Sequence, residues 1–257
     1  MPGLACAVVM PAAPAGEWGT RMGDYTPMSG YYDLIMTSGY YDYDAIVDEL
    51  ARAERVGTVL EIGAGTGLIL DRLAARRPEL RIAGIDLTQA MLDIAAERLA
   101  RHPRVTLHQQ DVVTLRLGRE FDLAFSYGGV WYFVPAGDGF MMISHLRDDR
   151  ANLEGLERLA EHLVAGGTLL LGVQGPHHDY SSPVSNGMVY SQRITPIDGG
   201  FRKDYQLADG DEVVMAQTTD YRIYRFDHAL ELLDKAGFDH QPRVAEGTPL
   251  FLEFTRR

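Results

Sequence analysis

The stretch that decides the fold is VLEIGAGTGLI, residues 59–69. An apolar run ends in Glu61, and Gly63, Gly65 and Gly67 follow at every second position before apolar residues resume. Glycine packs nothing and loses the most backbone freedom on folding, so three within five positions mark a backbone that something must approach closely. A strand, a glycine-rich turn and a helix N-terminus together make a ligand site of backbone amides. A dinucleotide needs Gly-x-Gly-x-x-Gly, but Leu68 stands in the place of its third glycine and Gly67 falls one residue early. That spacing argues against a nicotinamide oxidoreductase.

Outward from this turn, short apolar runs alternate with helical periodicity. GTVLEIG (57–63), RIAGIDL (81–87), RVTLHQQ (104–110), FDLAFSY (121–127) and GTLLLGVQ (167–174) read as strands buried on both faces. LILDRLAARR (68–77), TQAMLDIAAERLARH (88–102) and RANLEGLERLAEHLVAGG (150–167) place apolar residues at three-and-four spacing; Thr88 is expected as an N-cap and the glycine pair 166–167 as a C-cap. This alternation predicts a parallel sheet with helices on both faces. After residue 175 the pattern changes to three antiparallel strands, 186–197, 199–211 and 212–226, with DGG and ADGD turns between them. A helix over 227–238 with Gly237 at its end and a strand over 248–256 then complete the chain.

At 257 residues the chain fits one large domain with an insertion. Lys and Arg number 24 against 36 Asp and Glu, a net charge of -12 without a basic cluster, which argues against a nucleic-acid partner. Cys6 is the only cysteine, so a reducing, cytoplasmic setting is expected. No apolar run reaches the roughly 18 residues of a membrane span. The start, MPGLACAVVMPAAPAGEWG, has three prolines and no basic residue ahead of its apolar part, so it reads as a loose arm rather than a secretory signal.

The glycine stretch with Glu61 two residues ahead resembles the first motif of the class I S-adenosylmethionine-dependent methyltransferases. The resemblance implies that Gly63, Ala64, Gly65 and Gly67 run flat beneath the methionine half of S-adenosylmethionine, and that Glu61 holds its amino group, often through water. Further motifs follow in the family's order. By the same resemblance Asp86 takes both ribose hydroxyls, Leu87 and Met91 flank the adenine, and Asp111 sits near its exocyclic amine with Val112 offering an amide. FDLAFSYGGVWYF (121–133) is similar to the fourth-strand motif, whose end, including Ser126, faces the transferred methyl group. The implied fold is α/β: a Rossmann-like seven-stranded methyltransferase sheet with helices on both faces, plus an antiparallel β lid insertion.

GYYDLIMTSGYYDYDAIV (30–47) resembles the N-terminal lid of small-molecule methyltransferases acting on glycine and on amino sugars. On that likeness Tyr32 reaches the cofactor's carboxylate, and Tyr40, Tyr41 or Tyr43 lines the mouth. The antiparallel insertion is expected to roof an acceptor pocket, with Tyr190, Gln192, Arg193, Lys203, Tyr205 and Tyr221 the residues most apt to point inward; Arg193 and Lys203 suit an acidic acceptor. His177 and His178, followed by Asp179, stand after the fifth strand where a general base is needed for a hydroxyl or an acidic carbon. Tyr127 is a third catalytic candidate, and Trp131 is expected to shape the acceptor site. Relatives often carry a histidine a few residues into the fourth-strand segment, where this chain has GGVWYF. No metal site is assigned.

The expected organisation is an N-terminal arm and lid segment (1–43), a cofactor-binding core (44–182), a lid insertion (183–225) and a C-terminal return to the core (226–257). The expected activity is methyl transfer from S-adenosylmethionine to a nitrogen or oxygen of a small metabolite in natural-product biosynthesis. Alternatives are carbon methylation of a keto acid, or a cyclase that binds the cofactor without methylating. A small-molecule acceptor is expected, with neither nucleic acid nor membrane as partner, and a homodimer follows from the family alone.

Overall fold

The computed structural model describes residues 25–137, 139–242 and 247–257. The expected loose arm and Cys6 lie outside them. The described chain opens with a short 3-10 turn and α1 (Ser29–Ile35), kinks through Met36–Tyr40 and continues in α2 (Tyr43–Ala51). Gly39 makes the kink at φ +94°, a left-handed conformation suited to glycine, and Asp42 caps α2 by accepting from the Ala45 amide at 3.0 Å.

The core then alternates as the sequence predicts: β1 (Thr58–Ile62), α3 (Leu68–Arg76), β2 (Arg81–Asp86), α4 (Gln89–Leu99), β3 (Val105–Gln109) and β4 (Phe121–Ser126). A hairpin of β5 (Trp131–Ala136) and β6 (Gly139–Ser144) precedes α5 (Asp149–Glu161) and β7 (Leu163–Gly172). Four strands follow, β8 (Tyr180–Pro183), β9 (Val189–Ile197), β10 (Gly200–Asp209) and β11 (Glu212–Arg225). The described chain finishes with α6 (Phe226–Lys235), β12 (Phe238–Gln241) and β13 (Phe251–Arg256).

One sheet has seven strands in the order β12-β13-β7-β4-β1-β2-β3, parallel except where β13 runs antiparallel to both β7 and β12. This is a Rossmann-like sheet. Its strands bury both faces: Val59 and Leu123 pack with Val47, Leu50 and Leu73 on one side, while their neighbours Leu60 and Ala124 pack with Leu156, Leu159 and Leu233 on the other. Strand order reverses between β1 and β4, and a crevice at the carboxyl ends of these strands is where such sheets bind ligands.

The second sheet is antiparallel with six strands, β5-β6-β11-β10-β9-β8. It extends beyond the inserted strands after residue 175, because the β5–β6 hairpin joins it from between β4 and α5. The sequence FSYGGVWYF does not continue as one strand: Gly128, at φ +76°, breaks it, and Trp131 onward pairs with β6.

Two capping expectations are corrected. Helix α5 ends at Glu161, and Gly166 and Gly167 lie within β7, where pairing with β4 jumps from Phe121–Leu163 to Leu123–Thr168; the glycines form a bulge, Gly166 at φ +77°. Thr88 precedes α4 without capping it, and its hydroxyl instead accepts from the Tyr25 amide at 3.1 Å, tying the N-terminal segment to the core.

Candidate active site

A cavity of about 310 Å³ opens where the two sheets face each other above the β1–β4 crevice. Its floor is built by the turns that follow β1, β2 and β4. Gly63 and Gly129 bring two of these turns into contact, since a Cβ on Gly63 would lie 2.7 Å from Gly129 Cα. Asp86, at the end of β2, accepts from the Gly65 amide through Oδ2 and from the Thr88 amide through Oδ1, both at 2.8 Å. The Leu87 amide and the Thr88 hydroxyl also hydrogen-bond to this carboxylate, which lines the cavity. Burial raises the Asp86 carboxyl above its usual range, against the lowering effect of these amides. Ile62, Ile85, Leu87, Met91 and Val112 give this end an apolar lining, and Asp111 closes it while accepting from the Val113 amide at 2.9 Å.

Glu61 is 2% exposed, and among the described residues its Oε2 has no hydrogen-bond partner. Desolvation pushes its carboxyl well above the ordinary value, with the Asp86 charge adding to the rise. A void of about 20 Å³ beside it is bordered by Tyr32, Tyr43, Ala64, Thr66 and Tyr127, enough for one water molecule. An orphaned buried carboxylate oxygen is costly, so its place beneath the cavity suits a cationic ligand group or a bridging water.

The lid is fastened over this floor. Tyr32 lies over Gly65, with Cε1 3.8 Å from where a Cβ on that glycine would be. Asp33 accepts from the Thr66 hydroxyl at 2.5 Å and pairs with Arg98, which also donates to the Thr66 carbonyl at 2.5 Å. The kink at Gly39 sets Tyr40 and Tyr41 edge to face, 4.8 Å apart, both into the cavity.

The far end of the cavity lies under the antiparallel sheet and is lined by polar aromatics. The Tyr205 and Tyr221 hydroxyls are 2.5 Å apart, and Tyr25 joins Tyr221 at 3.1 Å. The Tyr132 hydroxyl lies 2.8 Å from His177 Nε2. Lys203 is 2% exposed; its Nζ donates to the Tyr40 hydroxyl at 3.0 Å and stands over the Tyr205 ring at 4.8 Å. Burial pulls Lys203 down to about 7. Burial, with the nearby Lys203 charge, also pulls His145 and His177 down to about 3, so both imidazoles are neutral in the protein.

Of the sequence candidates, Tyr32, Gly63, Gly65, Asp86, Leu87, Met91, Asp111, Val112, Tyr41, Tyr205 and His177 line the cavity. Glu61, Ala64 and Tyr127 border the smaller void instead; Tyr127 packs between Tyr41 and Phe251, which removes it from the acceptor side. Gly67, at φ +77°, touches neither space: a Cβ there would meet Leu99 at 3.0 Å and Ala95 at 3.3 Å, so this glycine allows α3 to pack on α4. Ser126 is fully buried behind Gly129. Trp131 is fully buried, donating to Asn152 Oδ1 at 2.7 Å and packing on Gly155 of α5. Tyr190 forms a second layer behind Tyr40, Arg193 lies on the exposed face of β9, and His178 is exposed with Nδ1 3.1 Å from the Pro176 carbonyl.

Tyr25, Tyr132, His145 and Gln174 line the cavity without having been singled out. His145 follows β6, and its amide donates to the Val130 carbonyl at 3.0 Å. An imidazole thus arrives beside GGVWYF from the neighbouring strand. Among the described residues, no cluster of three metal-ligating side chains occurs, and no helix is long and apolar enough to cross a membrane.

A family model described as a methyltransferase domain matches residues 59–167. The chain is 28% identical over 145 residues to a dTDP-3-amino-3,4,6-trideoxy-alpha-D-glucopyranose N,N-dimethyltransferase of Streptomyces venezuelae, covering 54% of each chain. The chain thus spans about half the length of this curated relative, and less of several others it matches. Among solved structures it is similar to DesVI of Streptomyces venezuelae, with a TM-score of 0.68, 22% identity and coverage of 89% of this chain and 97% of that one. It is similar also to the sugar N-methyltransferase KedS8 of a Streptoalloteichus species, with a TM-score of 0.69, 22% identity and coverage of 97% and 99%.

Proposed function

We propose that the chain, which matches a methyltransferase domain over residues 59–167, is a class I S-adenosylmethionine-dependent methyltransferase that methylates a nitrogen or oxygen of a small natural-product metabolite held beneath the antiparallel sheet. The observation that carries this reading is the two-ended cavity. One end has an acidic, apolar-lined cradle and the other a chamber lined by tyrosines.

The cradle fits the cofactor on its own chemistry. Asp86 presents a carboxylate to the cavity, which suits a diol, and the orphaned Glu61 oxygen suits an ammonium. Leu87, Met91 and Val112 suit a purine, with Asp111 near its amine. Tyr32 and the latch from Asp33 to Thr66 and Arg98 close the lid over the methionine end. Bound S-adenosylmethionine supplies a methyl group made electrophilic by its sulfonium.

The chain's own task is then to align an acceptor and exclude water, and positioning of this kind can supply roughly 7–11 kcal/mol. The roof of Tyr132, Tyr205 and Tyr221 gives an enclosed space suited to a small molecule and obstructs a macromolecular surface. An amine acceptor fits without help from either imidazole. With His145 and His177 depressed to about 3, neither imidazole is a strong base at neutral pH, and an amine needs only to lose a proton to solvent. His177, joined to Tyr132, accepts or orients a hydrogen bond from the acceptor. The amino-sugar substrate in the name of the Streptomyces venezuelae relative fits this choice.

The test is incubation with S-adenosylmethionine labelled in its methyl group and a panel of amino sugars, aryl amines and phenols. Label appearing on a small amine with matching release of S-adenosylhomocysteine supports the reading. Product formed without transfer of label would replace it with the cyclase alternative.

A further inference from the structure

The chamber contains more buried hydrogen-bond donors than the protein satisfies. Lys203 Nζ carries three N–H groups, and among the described residues it donates to Tyr40 alone and forms no ion pair. Gln174 is 8% exposed; its Oε1 accepts from the Tyr41 hydroxyl at 3.1 Å, while its Nε2 has no partner among the described residues. Both side chains line the same cavity, and each is anchored by one member of the consecutive pair Tyr40 and Tyr41. An ammonium without a counter-charge and an amide without an acceptor are both costly to bury, and a ligand oxyanion would satisfy the two together.

We infer that the acceptor carries a carboxylate, received by Lys203 and Gln174 at the chamber end of the cavity. This deepens the methyltransferase reading and rests on it: the acceptor presents its amine or hydroxyl toward the cradle and its carboxylate toward Lys203. Charge decides between oxyanions. Lys203 is the only lysine or arginine among the described residues that line the cavity, and its neighbours His145 and His177 are neutral. One cation balances a singly charged carboxylate and leaves a phosphate ester with surplus negative charge.

The test uses three probes sharing one ring: benzoate, phenyl phosphate and benzyl alcohol, titrated calorimetrically into protein saturated with S-adenosylhomocysteine. Benzoate is expected to bind at least about tenfold more tightly than either other probe. Lys203→Met should abolish that preference while S-adenosylhomocysteine affinity stays within about threefold. Absence of benzoate binding, preference for phenyl phosphate or benzyl alcohol, or a benzoate preference that survives Lys203→Met would each overturn the inference. If S-adenosylhomocysteine does not bind the wild-type protein, the cofactor reading fails instead, and the three probes are titrated into the protein alone with the same criteria.

A second measurement needs no variant. Benzoate is fully ionised above pH 6, so its affinity should fall as pH rises from 6 to 9 and Lys203 loses its proton. The other titratable groups facing Lys203 are the phenols of Tyr40, Tyr205 and Tyr221, raised by burial, and the two imidazoles, already neutral. None of these changes charge in that window. A pH-independent benzoate affinity would contradict the inference even if Lys203→Met fails to fold.

Discussion

Gly129 sits so close to Ile62 that a Cβ on it would stand 2.2 Å from the Ile62 carbonyl oxygen. The turn after β4 is thereby laid directly on the end of β1, and this contact shapes the floor of the crevice. Gly129→Ala must therefore move backbone. It is expected to cost about 2–3 kcal/mol, lowering the melting temperature by roughly 4–12 °C, and to weaken S-adenosylhomocysteine binding. Gly30→Ala is the control: a Cβ there meets nothing within 4 Å in α1, and helix propensity favours alanine by about 1 kcal/mol. Scanning calorimetry showing the two variants equally stable would contradict the contact's role.

Asp86→Ala should abolish cofactor binding almost entirely. Two charge-assisted hydrogen bonds are at stake, each worth about 1.5–3 kcal/mol, so at least a hundredfold loss is expected. Because Asp86 also accepts from the Gly65 and Thr88 amides, Asp86→Asn serves beside it to separate loop disorder from lost ligand contacts. Unchanged affinity of Asp86→Ala by calorimetric titration would remove the ribose assignment.

Glu61 should trade stability for binding. Its folded-state carboxyl is raised above the ordinary 4.5, so its contribution to stability is fully present below that value and is lost as pH rises through the folded value. As pH rises through that value the protein comes to bear a buried carboxylate, and on that side Glu61→Gln is expected to raise stability by about 1–2 kcal/mol. The same substitution should weaken S-adenosylhomocysteine binding roughly tenfold, about 1.4 kcal/mol. Wild-type affinity should rise with pH as the carboxylate forms, and the Glu61→Gln profile should be flat. A destabilised variant with full affinity would contradict the orphaned oxygen's role.

His145 and His177 give the opposite sign. Their folded values, about 3, lie below the usual 6.5, so the stability they contribute is present above 6.5 and is lost as pH falls toward 3. Nitrogen-15 spectra at pH 5.5 should show both imidazoles neutral, and the urea midpoint should decline from pH 6.5 downward. The decline should be shallower in His145→Gln. Imidazoles that titrate near 6.5 would restore His177 as a general base and reopen oxygen or carbon methylation.

Much of the core was legible because its signals are local. Strands buried on both faces read as apolar runs, and Glu61, Gly63, Asp86 and Asp111 sit at or just beyond the strand ends that the strand and helix alternation places together. The acceptor side was less legible because it depends on contacts distant in sequence. Period-two alternation left the register of β9 and β10 open, so Arg193 and Lys203 were equal candidates; pairing with β9 and β11 turns Lys203 inward and leaves Arg193 exposed. His145 escaped notice because β6 pairs beside residues that read as a continuation of β4, and nothing local announces that hairpin. Gly67 matched a cofactor motif, while its left-handed backbone and its close approach to α4 account for it, and both leave the same letter in the sequence.

The most direct test of the account is a crystal structure of the protein with S-adenosylhomocysteine. The expected result is ribose hydroxyls on Asp86, the purine between Leu87 and Met91 near Asp111, the amino group facing the Glu61 side, and the sulfur directed toward the chamber of Tyr132, His177 and Lys203. A ligand lying elsewhere, or a sulfur pointing away from that chamber, would contradict the assignment of the cavity to methyl transfer.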